Sequence, residues 1–258
     1  MNSPTETYLQ NCESVLKTVR SQAAEIERAA GIFAESILAG RMVHLFGSGH
    51  SRIMVEEMWP RYGSFPGFNP IVELSLTFHN NVVGANGQRQ AMFIENVPGL
   101  AARILRNFDL SEQDSALVIS SSGTNIVPVE MAEEFQNRGV KNVVALVSRA
   151  HSEASSAKRD DGKRLTDFAE IVLDTGAPVG DASVEIDGVE GKVSPLSTVG
   201  GTAIINALKA EIAKRLADAG KPPTVLSAAN QVGAKRAAEM FEAAYDEHAR
   251  RLAKLFDF

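Results

Sequence analysis

Short apolar runs alternate along the chain with longer segments in which apolar residues recur at every third or fourth position. Four runs have the length of a β-strand: Met42–Phe46, Ser115–Ile119, Val143–Ser148 and Ala169–Leu173. A strand buried on both faces of a parallel sheet has no polar side, so it reads as an uninterrupted apolar run. Because helical segments follow these runs, the pattern predicts an α/β fold with a doubly wound parallel sheet and helices on both of its faces.

The longest segments of helical period lie near the two ends of the chain. Thr5–Ala39 contains almost no helix-breaking residue and predicts two helices, which part either near Arg20–Gln22 or at Gly31. Thr198–Ala219 predicts a long helix that ends at Gly220, with Pro222 and Pro223 just beyond it. Ala234–Leu255 predicts a final amphipathic helix.

Segments rich in glycine, proline and polar residues separate these elements. Arg61–Leu74 has the glycine and proline density of an irregular surface loop. The polar sequence RAHSEASS, which follows the third apolar run, predicts a second loop, and SVEIDGVEGKVS predicts a β-hairpin that turns at Asp187 and Gly188. Leu74–Ala91 is either the polar lining of a site or a plain connection.

Length and composition favour one large domain. At 258 residues and 44% apolar composition the chain can bury a full core. We expect a single domain over residues 1–258, with an N-terminal helical segment over 1–40 and a C-terminal helix over 234–255. The net charge of −6 comes without a basic block, which argues against nucleic acid as a partner.

The sequence also indicates the compartment. Cys12 is the only cysteine, so no disulfide can form within the chain, and a reducing compartment is indicated. No window reaches the roughly 18 apolar residues that a membrane span needs. The polar N-terminus lacks the basic and apolar signature of a secretory signal. We therefore expect a cytoplasmic protein without membrane contact.

Two turns of small and hydroxyl-bearing residues follow the first two strands. The first reads GSGHS and the second SSSGTN. Such residues let the N–H and hydroxyl groups at the start of a helix face an anion. Arg52 replaces the third glycine of a dinucleotide fingerprint, and the lysine of a P-loop is missing, so neither of those sites is expected. Side by side, the turns predict one anion site built from Gly47, Ser48, Gly49, Ser51, Arg52, Ser120, Ser121, Ser122, Thr124 and Asn125.

Strand-GxGxS-helix followed by strand-SxSGxT-helix resembles the sugar isomerase (SIS) domain family of phosphosugar isomerases and phosphosugar-binding regulators. The resemblance covers about Gly40 to Gly220, and it implies a flavodoxin-like sheet. Ser51 matches the serine of the family's first loop, and Ser120 and Ser122 match those of the second. Asn125 stands where the family usually has a threonine, and Thr124 is expected to substitute for it.

The resemblance also suggests a catalytic group. The segment EEMWPRYG is similar to EELTGRY of phosphoheptose isomerases and to ECPPTFG of N-acetylmuramic acid 6-phosphate etherases. Both alignments place the catalytic glutamate on Glu57, with Glu56 as the weaker candidate. His50 and His79 are candidates for assisting ring opening, although His50 could equally be a bystander on the solvent side. Ile53 replaces a histidine that the metal-dependent isomerases carry, so we expect neither a metal nor another cofactor.

The sequence therefore predicts an aldose–ketose isomerase of a sugar with a terminal anionic group. That group is a phosphate or, since a sulfonate also presents three acceptor oxygens, the sulfonate of a 6-sulfo sugar. A non-catalytic phosphosugar-binding protein and an etherase of an amino-sugar phosphate are the alternatives. SIS domains usually pair, which implies a homodimer or homotetramer with a small anionic sugar as ligand.

The remaining polar candidates divide between the core, the site and the solvent. His44 lies within an apolar strand and is expected to be a satisfied core histidine. His151 is expected at an edge of the site, and His248 in solvent. Ser227 and Asn230 either reach the site or cap the last helix.

Overall fold

The computed structural model describes residues 3–77 and 87–256. His79 and the rest of 78–86 lie outside the described residues. The helices are α1 Pro4–Ser21, α2 Ala23–Leu38, α3 Arg52–Met58, α4 Gly87–Ile94, α5 Leu100–Leu105, α6 Ile126–Asn137, α7 Arg149–Ala154, α8 Ser197–Asp218, α9 Ala229–Val232 and α10 Ala234–Ala253. The strands are β1 Val43–Gly47, β2 Phe68–Ile71, β3 Ser115–Ile119, β4 Asn142–Val147, β5 Ile171–Asp174, β6 Ala182–Glu185 and β7 Lys192–Pro195.

Five strands form one parallel sheet in the order β2-β1-β3-β4-β5. This is the strand order of flavodoxin-like doubly wound folds. The predicted fold class is therefore confirmed. β6 and β7 pair antiparallel beside it, with Asp187 and Gly188 between them, as the hairpin prediction required.

The apolar residues of the sheet are buried on both faces. One core cluster joins residues of the sheet to α2, α3 and α8, and includes Phe33, Met54 and Ile204. A second cluster joins the opposite face to α5 and α6, and includes Ile104 and Phe135. Because both faces are covered, the central strands carry no polar face, which explains why their sequences are almost entirely apolar.

The break between α1 and α2 falls at Gln22, the first of the two predicted positions. Its side-chain amide donates to the carbonyl of Asp174 at 2.6 Å and accepts from the N–H of the same residue at 2.8 Å. Gln22 thereby hydrogen-bonds the backbone at the end of β5. Gly31 lies inside α2, which continues through it.

Two predicted loops are wrong in part. Phe68–Ile71, within the predicted surface loop, is the edge strand β2, and Phe68 is fully buried. Pro70 fits there because an edge strand leaves one side of its backbone without a partner strand. The polar segment after β4 is the short helix α7, because Ser148 accepts a hydrogen bond from the N–H of His151 and caps the helix start.

Within the described residues, no helix is long and apolar enough to cross a membrane.

Candidate functional site

The two serine-rich turns follow β1 and β3, which are neighbours in the sheet. In this strand order β2 is added on one side of β1, and β3 and the later strands are added on the other side. Ligands of open α/β sheets bind in the crevice at this switch point, between β1 and β3. The first turn depends on Gly47, where a Cβ would lie 2.8 Å from the carbonyl carbon and oxygen of Ser51. Gly49 has a φ of +56°, a conformation that favours glycine.

The second turn is held together by its own hydroxyl groups. Ser120 Oγ accepts from the N–H of Gly123 at 3.2 Å. Ser122 Oγ accepts from the N–H and the Oγ1 of Thr124, at 3.3 and 3.0 Å. The Oγ of Ser121 is buried and has no hydrogen-bond partner among the described residues. A buried hydroxyl without a partner costs free energy unless a ligand or water satisfies it.

A cavity of about 390 Å³ opens between the two turns. Seven of the ten predicted substrate-binding residues line it, together with His50. The seven are Ser48, Gly49, Ser51, Ser120, Ser121, Ser122 and Asn125. The structure therefore brings the two turns together around one open cleft.

Glu95, which sequence reasoning did not single out, also lines the cavity and connects its two turns. Ser48 Oγ donates to Glu95 Oε2 at 2.8 Å, and Asn125 Nδ2 donates to Oε1 at 2.7 Å. Glu95 directly follows α4, and its backbone carbonyl accepts from Val127 in the first turn of α6. The only sequence signal is a polar residue between an amphipathic segment and Pro98, and many solvated glutamates show the same pattern.

Burial raises the pKa of Glu95 above its ordinary value, while the hydrogen bond from Ser48 and the positive charge of Lys158 oppose the rise. Lys158 Nζ donates to Asn125 Oδ1, which holds its positive charge near Glu95. A carboxyl group with a raised pKa in a cleft is suited to proton transfer.

The lining also contains His151, Gly180, Asp181 and Ser197. The carboxylate of Asp181 accepts from the N–H of Leu196 at 2.9 Å and from the N–H and Oγ of Ser197, both at 2.7 Å. Asp181 thus caps the N-terminus of α8. It does so with a φ of +70°, which is uncommon for a residue with a side chain.

Three predicted binding residues lie outside the lining of the cavity. Gly47 acts by leaving room for the first turn. Thr124 is buried and donates its hydroxyl to Ser122, so it supports the second turn from behind. The guanidinium of Arg52 lies 3.7 Å from the carboxylate of Glu56, one helical turn later on α3.

Glu57 lines a second groove of about 580 Å³, together with Arg61, Tyr62 and Tyr245 among others. The cavity between the serine turns does not include it. Asn206 Nδ2 donates to Glu57 Oε1 at 2.8 Å, and Arg61 forms an ion pair with Oε2. The predicted base and the two predicted anion-binding turns therefore face different spaces.

The surroundings of Glu57 stabilise its charged form. Burial alone would raise the pKa of Glu57, but the hydrogen bonds from Asn206 and Arg61, with the positive charges of Arg61 and Lys209, lower it. Lys209 is 5% exposed, lies 3.9 Å from Glu57 Oε1 and donates to the backbone carbonyl of Glu57 at 3.0 Å. A carboxylate held in this way anchors α3 to α8.

The other histidines have distinct surroundings. His44 is fully buried beside Asn69 and Asp114, and the prediction of a core histidine is confirmed. His151 lines the cavity. His248 is not solvated as predicted, since it packs 5.1 Å from the ring of Trp59, and burial lowers its pKa.

The C-terminal segment does not contribute to the cavity. Ser227 donates to the carbonyl of Val225, and neither Ser227 nor Asn230 lies in the lining. Among the residues that the structure describes, no group of three or more His, Cys, Asp or Glu side chains could hold a metal ion.

In an open α/β sheet, the switch point at which these two turns lie is where small ligands bind. Residues 7–148, just over half of the chain, match the SIS domain family model. This chain belongs to the SIS domain family.

Relatives and solved structures show further similarities. The chain is 34% identical to a UPF0309 protein of Brucella canis over 88% of its own length and 90% of the relative. It is 32% identical to a UPF0309 protein of Halalkalibacterium halodurans, over 91% and 94%. Phosphoheptose isomerase structures from Neisseria gonorrhoeae and Francisella tularensis match with TM-scores of 0.47 and 0.48. Their identities are 12% and 16%, over 81% of this chain in each case and over 94% and 95% of those chains.

Proposed function

We propose that this protein is an aldose–ketose isomerase of a sugar phosphate and that Glu95 moves the proton. Membership of the SIS family supports a phosphosugar-related function. The observation that carries the proposal is the position of Glu95, a carboxylate with a raised pKa that both serine turns hold at the wall of one cavity.

The second turn is the proposed seat of the phosphate. It precedes α6, a helix of 12 residues whose N-terminal dipole favours negative charge. The buried Ser121 hydroxyl adds a donor that no described residue uses. Binding the far end of the sugar there would hold the reacting carbons beside Glu95 and convert binding energy into orientation.

Glu95 then acts as a base on the carbon next to the carbonyl. The C–H bond breaks, the carboxylate takes the proton, and the electron pair forms an enediolate. The hydroxyl proton of the enediolate then passes to the former carbonyl oxygen, Glu95 returns its proton to the former carbonyl carbon, and the aldose has become the ketose. A bound phosphate adds a second negative charge nearby, which would raise the pKa of Glu95 further and strengthen it as a base. His50, in the same lining, is our candidate for assisting ring opening.

Of the two carboxylates in the described lining, Glu95 is the better base. Both oxygens of Asp181 accept hydrogen bonds from the start of α8, so moving Asp181 would uncap that helix. The partners of Glu95 are a hydroxyl and an amide side chain, which can rotate as the carboxyl gains or loses a proton.

The test is a panel of pentose, hexose and heptose phosphates in D2O, with the corresponding neutral sugars and 6-sulfo sugars as separate arms. We expect one aldose–ketose phosphate pair to interconvert, with deuterium entering next to the carbonyl, and the neutral sugars to remain unchanged. If only the 6-sulfo sugar were converted, the substrate would be a sugar sulfonate and not a sugar phosphate. Thermal stabilisation by a sugar phosphate without any proton exchange would overturn the isomerase in favour of a binding protein.

A further inference from the structure

His151 presents a ring whose tautomer the structure fixes. The backbone N–H of Gly180 donates to His151 Nδ1 at 2.8 Å. A backbone N–H can only donate, so Nδ1 must offer its lone pair. In the neutral imidazole the proton is therefore on Nε2, and the ring can donate only from that atom.

The groups that fix the ring are themselves anchored. Gly180 and Asp181 have φ values of +78° and +70°, and the Asp181 carboxylate ties this turn to the N-terminus of α8. The backbone N–H of His151, in turn, donates to Ser148 Oγ at 3.2 Å. The imidazole is thus held between the cap of α7 and the cap of α8.

The Nε2 atom of the ring has no acceptor among the described residues. His151 and Gly180 both line the cavity that contains Glu95. Within residues 3–77 and 87–256, no acceptor is hydrogen-bonded to His151 Nε2. A donor of fixed direction in a cavity wall costs little reorganisation when charge develops in front of it.

We infer that His151 is a catalytic residue of the isomerisation, an inference that rests on the proposed function. Its Nε2–H donates a hydrogen bond to the substrate's carbonyl oxygen. That oxygen gains the negative charge when Glu95 removes the carbon-bound proton. The Gly180 N–H occupies the lone pair of Nδ1, so the ring acts as a hydrogen-bond donor through Nε2. Glu95 and His151 thereby divide the reaction between a base for carbon and a hydrogen-bond donor for oxygen.

The geometry is tested first without substrate. Protein labelled with nitrogen-15 histidine is examined by NMR at mildly alkaline pH, and His151 is assigned by its absence from the His151→Gln spectrum. We expect the Nε2–H tautomer with Nδ1 as an acceptor. A ring protonated on Nδ1 overturns the inference.

The role in catalysis is tested with two variants and the sugar phosphate that the wild type converts fastest in the panel. Removing one donor to a developing oxyanion typically lowers kcat about 10²–10³-fold. We expect that loss in His151→Leu, with KM nearly unchanged, and partial recovery in His151→Gln, whose amide can donate. His248→Gln, on α10 and outside the cavity lining, is the matched control and should keep the wild-type kcat.

The two possible failures differ. A wild type that exchanges protons alongside an equally active, folded His151→Leu overturns the role of His151 alone. A wild type that binds fructose 6-phosphate and the rest of the panel without exchanging a proton overturns the proposed function, and this inference falls with it.

Discussion

The hydroxyl of Ser48 donates to the carboxylate of Glu95 at 2.8 Å. This contact joins the first serine turn to a residue 47 positions later in the chain. Asn125 at the end of the second turn donates to the other oxygen of the same carboxylate at 2.7 Å. The carboxylate of Glu95 therefore contacts both turns, and a change at either turn should alter the pKa of Glu95.

The dependence of activity on pH should report this contact. A base must be ionised to act, and burial raises the pKa of Glu95 above its ordinary value of 4.5. Activity should therefore fall with decreasing pH at a midpoint above 4.5. The Ser48 hydrogen bond lowers that pKa, so Ser48→Ala should move the midpoint of kcat/KM upward. An unchanged or lower midpoint would separate Glu95 from the chemistry.

The sequence predicted the central sheet because its strands are buried on both faces. The runs at β1, β3 and β4 are almost entirely apolar and have no polar face, as expected of strands in a parallel sheet covered on both sides. β2 was missed because Gly67 and Pro70 resemble loop residues, and only pairing with β1 shows that the segment is an edge strand.

The candidate site was partly predictable for a related reason. Each serine turn follows its strand directly, so local sequence locates it. Glu95 joins the turns through tertiary contacts that no spacing rule expresses. Glu57 was selected by alignment, and its side chain points to Asn206 of α8 and not to the serine turns.

The homodimer or homotetramer implied by the resemblance stays a prediction, which sedimentation of the purified protein tests.

Gly47→Ala should weaken the binding of a sugar phosphate while the sheet still forms. The added Cβ would lie 2.8 Å from the backbone of Ser51, so the first turn must move. We expect fructose 6-phosphate to stabilise the variant less than it stabilises the wild type. Gly31→Ala is the matched control, because its Cβ would meet only Arg215 at 3.7 Å within a helix. Equal stabilisation of both variants would contradict the assignment of the first turn to the site.

Glu57→Gln should destabilise the fold. Its lowered pKa means that the charged form stabilises the folded state at neutral pH, and this contribution is lost as the pH falls through the folded pKa. The variant leaves Lys209 and Arg61 without their carboxylate, which we expect to cost about 1–3 kcal/mol at neutral pH. Calorimetry should show a Tm difference that shrinks in acid. A neutral-pH Tm equal to that of the wild type would remove Glu57 from the anchoring of α3 to α8.

Asp114→Asn should lower the stability of the fold, because Asp114 lies at the amino-terminal ends of β1 and β3. Burial would raise the pKa of Asp114, but contacts from His44 and Arg41 outweigh it and lower the pKa from 3.8 to about 2. That difference corresponds to roughly 2 kcal/mol of stability, present above pH 3.8 and lost as the pH falls toward 2. Denaturant unfolding at neutral and acid pH measures it. A variant as stable as the wild type at neutral pH would show that other contacts hold β1 to β3.

The most direct test compares Glu95→Gln with Glu57→Gln for exchange of the carbon-bound substrate proton with solvent deuterium. We predict that Glu95→Gln lowers the exchange rate about 10²–10⁴-fold while keeping its thermal stabilisation by the substrate. Glu57→Gln, measured below its lower Tm, should exchange at close to the wild-type rate. Wild-type exchange in Glu95→Gln, together with loss of exchange in a folded Glu57→Gln, would contradict the account and return the base to Glu57.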